Sequence, residues 1–175
     1  MLIGLGNLIT DLAAAIERQE GFTSGTCQKC VANNNPGALT AGPGQIGTSG
    51  GLAVFPDVAT GQAALEHQVS LNVSRGLTLD QFFGGGPMAS GGYYPGYAPA
   101  AAGNDPATYA ANVAAWAGGI PTDVPLNTLD TYPGSQDSTD SSDGAGVDYQ
   151  PSLASGVPTW AWMAAAGLFL VAVTR

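Results

Sequence analysis

Basic residues are scarce in this chain. Only four of 175 residues are Lys or Arg (Arg18, Lys29, Arg75 and Arg175), against thirteen acidic ones, for a net charge of −9. Nucleic-acid binders draw most of their affinity from Lys and Arg on phosphates, so DNA and RNA are excluded as main ligands. An acidic membrane surface is likewise a poor electrostatic match. Charge of either sign is thin, at 10%, where an average soluble domain carries about 25%. Two cysteines, Cys27 and Cys30, are too few for a disulfide framework. No βαβ pattern surrounds them, so this C-x-x-C reads as a local disulfide or two free thiols and not as a redox motif. The single histidine, His67, has no G-x-S-x-G elbow to serve. Together Cys27, Cys30 and His67 make three potential zinc ligands where a structural site takes four. Neither a metal nor a cofactor is expected. The N-terminal stretch meets Asp11 before any Lys or Arg, and so does not read as a secretory signal.

What is abundant is small. Ala (28) and Gly (26) dominate, and Gly with Pro makes 38 residues, about 22%. That sits just below the roughly 25–30% of a wholly disordered chain and favours helices joined by long Gly-rich loops. At the C-terminus, Val157 to Val173 is a run of 17 residues that is apolar apart from Pro158, Thr159 and Gly167. As a helix it would span about 25 Å, a short match to a hydrocarbon core of about 30 Å. Trp160 and Trp162 suit one lipid–water interface and Arg175 closes the other end. Residues 157–175 are therefore expected to be a transmembrane anchor, with a buried core helix as the alternative. Residues 127–156 carry Asp130, Asp137, Asp140, Asp143 and Asp148 and no basic residue. Few of their side chains can bury apolar area, which predicts a disordered acidic linker.

Residues 1–126 are then the folded domain, expected to be mainly α with long loops. Leu5, Leu8, Ile9, Leu12 and Ile16 recur at spacings of three and four, predicting a helix from Ile3 to Glu20 that Gly21 stops. Residues 22–56 read as a Gly/Asn/Pro loop region. Asp57 is placed to cap a second helix, Val58 to Arg75, which Gly76 ends. Thr78 is placed to cap a short helix from Leu79 to Phe83, followed by a Gly-rich loop from Gly84 to Gly92. Asp105-Pro106 is a helix start, with Ala107 to Ala117 continuing from it. Loops this long in a compact domain are usually functional.

Glu20 is the leading chemical candidate. It ends the first helix, where the partial negative charge of the helix terminus disfavours a second negative charge. Desolvation by Phe22 and nearby loops would keep its carboxyl protonated to higher pH, as a general acid for glycosidic cleavage requires. Glu17, almost one turn earlier, is its competitor, and a solvated surface role is the plain alternative for both. Asn33-Asn34-Asn35-Pro36-Gly37 offers three amides to sugar hydroxyls and acetamides, or else simple turn chemistry. Gln45, in Gly42-Pro43-Gly44-Gln45-Ile46-Gly47, could read an amide where glycines admit a ligand. Tyr93, Tyr94 and Tyr97 could stack on sugar rings. Tyr109 and Trp116, seven apart on the last helix, share a face, a spacing that more often marks a core.

Taken in chain order, these motifs form a pattern. Glu20-Gly21-Phe22 closes a helix; Asn33 to Gly37 and Gly42 to Ile46 follow; a helix holds Ala63-Ala64-Leu65-Glu66; Tyr97-Ala98-Pro99 and Asn104-Asp105-Pro106 lead to Tyr109-Ala110. Over about residues 7–126 this order resembles phage and prophage peptidoglycan-degrading proteins of the lysozyme-like superfamily, especially lytic transglycosylases and related muramidases. The resemblance implies a lysozyme-like helical fold with Glu20 as the catalytic acid. It implies that Gln45 binds substrate, in a G-L-x-Q-type segment whose bulky apolar residue is replaced by Pro43, and that either Tyr97 or Tyr109 is the cleft tyrosine; Asn35, from the Asn run, is the further substrate-binding candidate. It also implies that a single Glu protonates the glycosidic oxygen between MurNAc and GlcNAc, then takes a proton from the MurNAc 6-hydroxyl to close an anhydro ring. A hydrolase would need a second carboxylate, for which Asp57 and Glu66 are candidates. The expected partners are peptidoglycan, a lipid membrane through the C-terminal helix, and other virion proteins, in a virion or at the bacterial inner membrane facing the wall. The alternative is a membrane-anchored virion structural protein whose lysozyme-like domain binds glycan without cutting it, or is inactive and only fills a position in the particle.

Overall fold

The computed structural model describes residues 5–131. These are mainly helical. The first helix, α1 (Leu5–Gln19), buries Leu8, Leu12, Ala13, Ala15 and Ile16. Their spacing gives the single apolar face foreseen for it. A short α2 (Gln28–Ala32) follows, then an antiparallel hairpin of β1 (Gly47–Ser49) and β2 (Leu52–Val54), in the register Gly47↔Val54, Thr48↔Ala53 and Ser49↔Leu52. Next come α3 (Val58–Ser74), α4 (Leu79–Gly84), and a second small hairpin of β3 (Gly86–Pro87) and β4 (Tyr93–Tyr94). A 3₁₀ turn (Ala100–Ala102), α5 (Pro106–Trp116) and a last 3₁₀ helix (Leu126–Thr131) complete the described residues.

The helix starts follow from their caps. The Asp57 carboxylate accepts the Thr60 N–H at 2.7 Å at the head of α3, and Asp105 accepts that of Thr108 at 3.1 Å at the head of α5. Thr78 and Gln81 form a reciprocal capping box on α4. The core lies where α1 meets α3 and α5, and where α4 meets α5. Phe55, Leu65, Val69, Leu77, Leu79, Phe82, Phe83 and Val113 fill it.

Three expectations need correction. Residues 22–56 are not loop throughout, because α2 and the β1–β2 hairpin lie within them. Their pairs are only three residues long, too short for a periodic apolar signal in the sequence. The Gly84 to Gly92 stretch likewise contributes β3. The folded unit also runs past residue 126. Leu126 and Leu129 are buried in the core, and the Leu126 N–H donates to the Leu77 carbonyl at 2.9 Å. The acidic composition of residues 127–156 as a whole masks Leu129, three residues after Leu126. Residues 132–175, with most of the expected linker and the whole expected anchor, lie outside the described residues. Among the described residues no helix is long and apolar enough to cross a membrane.

Candidate active site

Glu20 stands one residue beyond α1, and its N–H donates to the Ile16 carbonyl at 2.8 Å, so the helical path still holds it. The chain then turns sharply at Gly21, whose φ is +75°. A Cβ there would lie 2.0 Å from Thr26 Oγ1, so the tight turn requires glycine twice over. The Gly21 carbonyl accepts from the Cys27 N–H (3.2 Å) and from the Ser24 (3.1 Å) and Thr26 (3.3 Å) hydroxyls. Glu20 thus emerges from a stop braced on both sides.

Its partner comes from the other end of the sequence. The Tyr109 hydroxyl donates to Glu20 Oε1 at 2.5 Å, across 89 residues. Antiparallel packing of α1 on α5 sets this meeting, and one residue earlier Asn112 Nδ2 donates to Gln19 Oε1 at 3.1 Å. Glu20 is half-buried. Burial pushes its carboxyl above the ordinary range, and the Tyr109 bond only partly offsets this. The Tyr109 hydroxyl is itself pushed far up, by burial first and then by the negative charges that Tyr97 and Glu20 can carry. It therefore remains a donor wherever Glu20 titrates.

Behind Tyr109 lies an aromatic floor. Phe83 packs 4.3 Å from its ring, and Tyr97 meets it edge-on at 6.3 Å. Phe82 and Phe83 stack at 4.8 Å, and both face the Tyr97 ring edge-to-face. The Tyr97 hydroxyl donates to the Gly37 carbonyl. Burial, and next the Glu20 charge, push that hydroxyl well above its ordinary value. Glu20, Tyr97 and Tyr109, chosen from sequence, are therefore neighbours. Phe82 and Phe83 were not singled out, since an aromatic pair in a six-residue helix reads only as core.

The amide residues have a different role from the one expected. Asn35 is fully buried. Its Nδ2 donates to the Leu39 (2.8 Å) and Ala53 (2.9 Å) carbonyls, and its Oδ1 accepts the Leu39 N–H at 2.9 Å. It is a scaffold residue without access to a ligand. Asn33 donates to the Ser49 carbonyl and Asn34 to the Phe55 carbonyl, each at 3.0 Å. The Asn run thus fastens the β1–β2 hairpin to the domain. Gly61 lets α3 approach the same segment, since a Cβ there would sit 1.9 Å from the Asn34 carbonyl oxygen. Gln45 is exposed and turns its Oε1 onto the Gly42 N–H at 2.9 Å, closing its own turn.

Cys27 and Cys30 are joined in a disulfide. Cys27 Sγ also accepts the Cys30 N–H at 3.3 Å, at the start of α2. Glu17 accepts from the exposed Thr23 hydroxyl at 3.1 Å. Asp57 is committed to its cap, whose Thr60 bonds hold its carboxyl below the ordinary range. Among the described residues no cluster of three His, Cys, Asp or Glu side chains is arranged for a metal. No protein-family model matches the chain, nor does any curated protein or solved structure.

Proposed function

We propose that this protein cleaves peptidoglycan glycan strands between MurNAc and GlcNAc, as a membrane-anchored, virion-associated lytic transglycosylase of lysozyme-like type. The observation that carries this reading is Glu20. It is a half-buried carboxyl at a helix end, raised in pKa by burial and held by the Tyr109 hydroxyl at 2.5 Å. Such a group carries a proton to higher pH than an ordinary carboxylate, as a general acid must. Glu20 would give that proton to the glycosidic oxygen as the bond breaks. Its carboxylate, steadied by Tyr109, would then accept the proton of the MurNAc 6-hydroxyl as that oxygen closes on the anomeric carbon. The proton count balances, and no water enters. The commitment of Asp57 to helix capping takes up one of the two carboxylates that hydrolysis could use, leaving Glu66, whose Oε1 accepts from Gln62 Nε2 at 3.5 Å.

The test is release of soluble muropeptides from peptidoglycan by the wild type and by Glu20→Gln. Anhydro-MurNAc ends identify transglycosylation, and reducing MurNAc ends identify hydrolysis. Equal release by both proteins refutes the role of Glu20. No release by either leaves the reading of an inactive structural domain, which one observation favours: Asn35 and the Tyr97 hydroxyl are spent on internal bonds. The anchor belongs to the same proposal, with Val157 to Val173 holding the chain in a virion or inner membrane. Carbonate extraction should leave the full chain in the membrane pellet, and its release to the supernatant refutes the anchor.

A further inference from the structure

As α5 advances, its partners on α1 step back: Tyr109 meets Glu20, Asn112 meets Gln19, and Trp116 meets Arg18. There α5 ends, and a groove of about 200 Å³ lies along α1, lined by Asp11, Ala14, Ala15, Arg18 and Trp116. Trp116 is 38% exposed there, whereas an indole is highly buried on average. The Arg18 guanidinium carbon lies 4.3 Å from the ring centroid, so the indole is held in place while still open to solvent. Asp11 and Ala14 are also exposed.

The chemistry of the lining narrows the occupant. Asp11 and Arg18 sit seven residues apart on one helix, about 10 Å along its axis, beyond ion-pair reach. The groove therefore offers a carboxylate acceptor at one end and guanidinium donors at the other, with no net charge. An anion would meet Asp11, and a cation would meet Arg18. A neutral, polyhydroxylated ring satisfies both, since hydroxyls donate to the carboxylate and accept from the guanidinium. The apolar face of a pyranose matches the indole, and the small side chains of Ala14 and Ala15 let a ring sit close. We propose that this groove is an accessory saccharide site that binds a neutral pyranose unit of a glycan chain. The site does not depend on cleavage at Glu20.

The test uses the full chain in detergent micelles, carrying Glu20→Gln to prevent turnover, titrated calorimetrically with tri-N-acetylchitotriose. Trp116→Ala should weaken one binding event about tenfold or more, as truncation of a central aromatic anchor commonly does. Ala14→Gln supplies a second variant at an exposed helical position. It fills the groove with a good helix former, and should cause the same loss with helix content unchanged. No binding by the parent, or affinities within about twofold across parent, Trp116→Ala and Ala14→Gln, overturns the site. A wild type that releases no muropeptides while Ala14→Gln still abolishes the binding event refutes only the cleavage reading.

Discussion

Glu20→Gln tests both the chemistry and the electrostatics of the site. Gln keeps the size of the side chain and an Oε1 to accept the Tyr109 hydroxyl, but it has no acid proton to give. General acid catalysis is worth about 10²–10⁴-fold, or about 3–5 kcal/mol of barrier, so muropeptide release should fall by at least the lower figure. Stability should move in the opposite sense. Burial makes folded Glu20 hold its proton more tightly than the unfolded chain does, where the ordinary carboxyl value is 4.5. The wild type therefore has its full contribution from this group below that pH and loses it as pH rises through the higher folded value. Gln does not titrate. The stability of Glu20→Gln relative to wild type should then rise across that window, and remain level below it. Weakening the Tyr109 bond from charge-assisted to neutral opposes this by about 1 kcal/mol, but burial is the larger influence on Glu20. Urea unfolding at pH 4 and pH 8 measures the difference. A difference that stays flat or shrinks with pH refutes the account of Glu20 as a carboxyl raised by burial, whatever the activity.

Tyr109→Phe removes the bond that lowers the Glu20 pKa, so the alkaline limb of the pH–rate profile should move further up. The rate itself should fall about 10–100-fold, as expected for losing a hydrogen bond to a charged group. An unmoved limb would separate Tyr109 from Glu20 in function. Asn35→Ala strands the Leu39 N–H and the Ala53 carbonyl inside the protein, while the Leu39 carbonyl keeps only the Ala53 N–H. It should cost about 3 kcal/mol or more and lower the Tm by about 10 °C in thermal unfolding; a Tm within 2 °C of wild type, a margin of about half a kcal/mol, refutes its scaffold role. Cys27→Ser with Cys30→Ser opens a loop of only two intervening residues, which in chain-entropy terms is worth at most about 2 kcal/mol. The double variant should fold and keep most of its activity; complete loss with circular dichroism unchanged would indicate a functional thiol pair.

Local signals were legible where one residue and its near neighbours determine the outcome. Asp57, Thr78 and Asp105 sit at helix starts because each side-chain oxygen reaches an N–H three residues on. The buried face of α1 was legible because helical periodicity repeats within one segment. Glu20 could be singled out on the same basis, from its place at a helix end before a glycine.

The long-range assignments were not legible in that way. Asn35 and Tyr97 carry the same polar groups whether they face a sugar or a backbone carbonyl. Only the arrival of Ala53 and Leu39 beside Asn35, and of Gly37 beside Tyr97, decided that those groups turn inward. Leu129 looked like part of an acidic linker until the fold supplied a surface to bury it beside Leu126, whose N–H meets the Leu77 carbonyl. By itself the sequence determined α1, α3, α4 and α5, the N-caps of the last three and the position of Glu20 at a turn, because those depend on contacts a few residues apart. Tertiary packing alone decided that Tyr109 meets Glu20 across 89 residues, since a desolvated carboxyl and its donor exist only once α1 and α5 lie side by side.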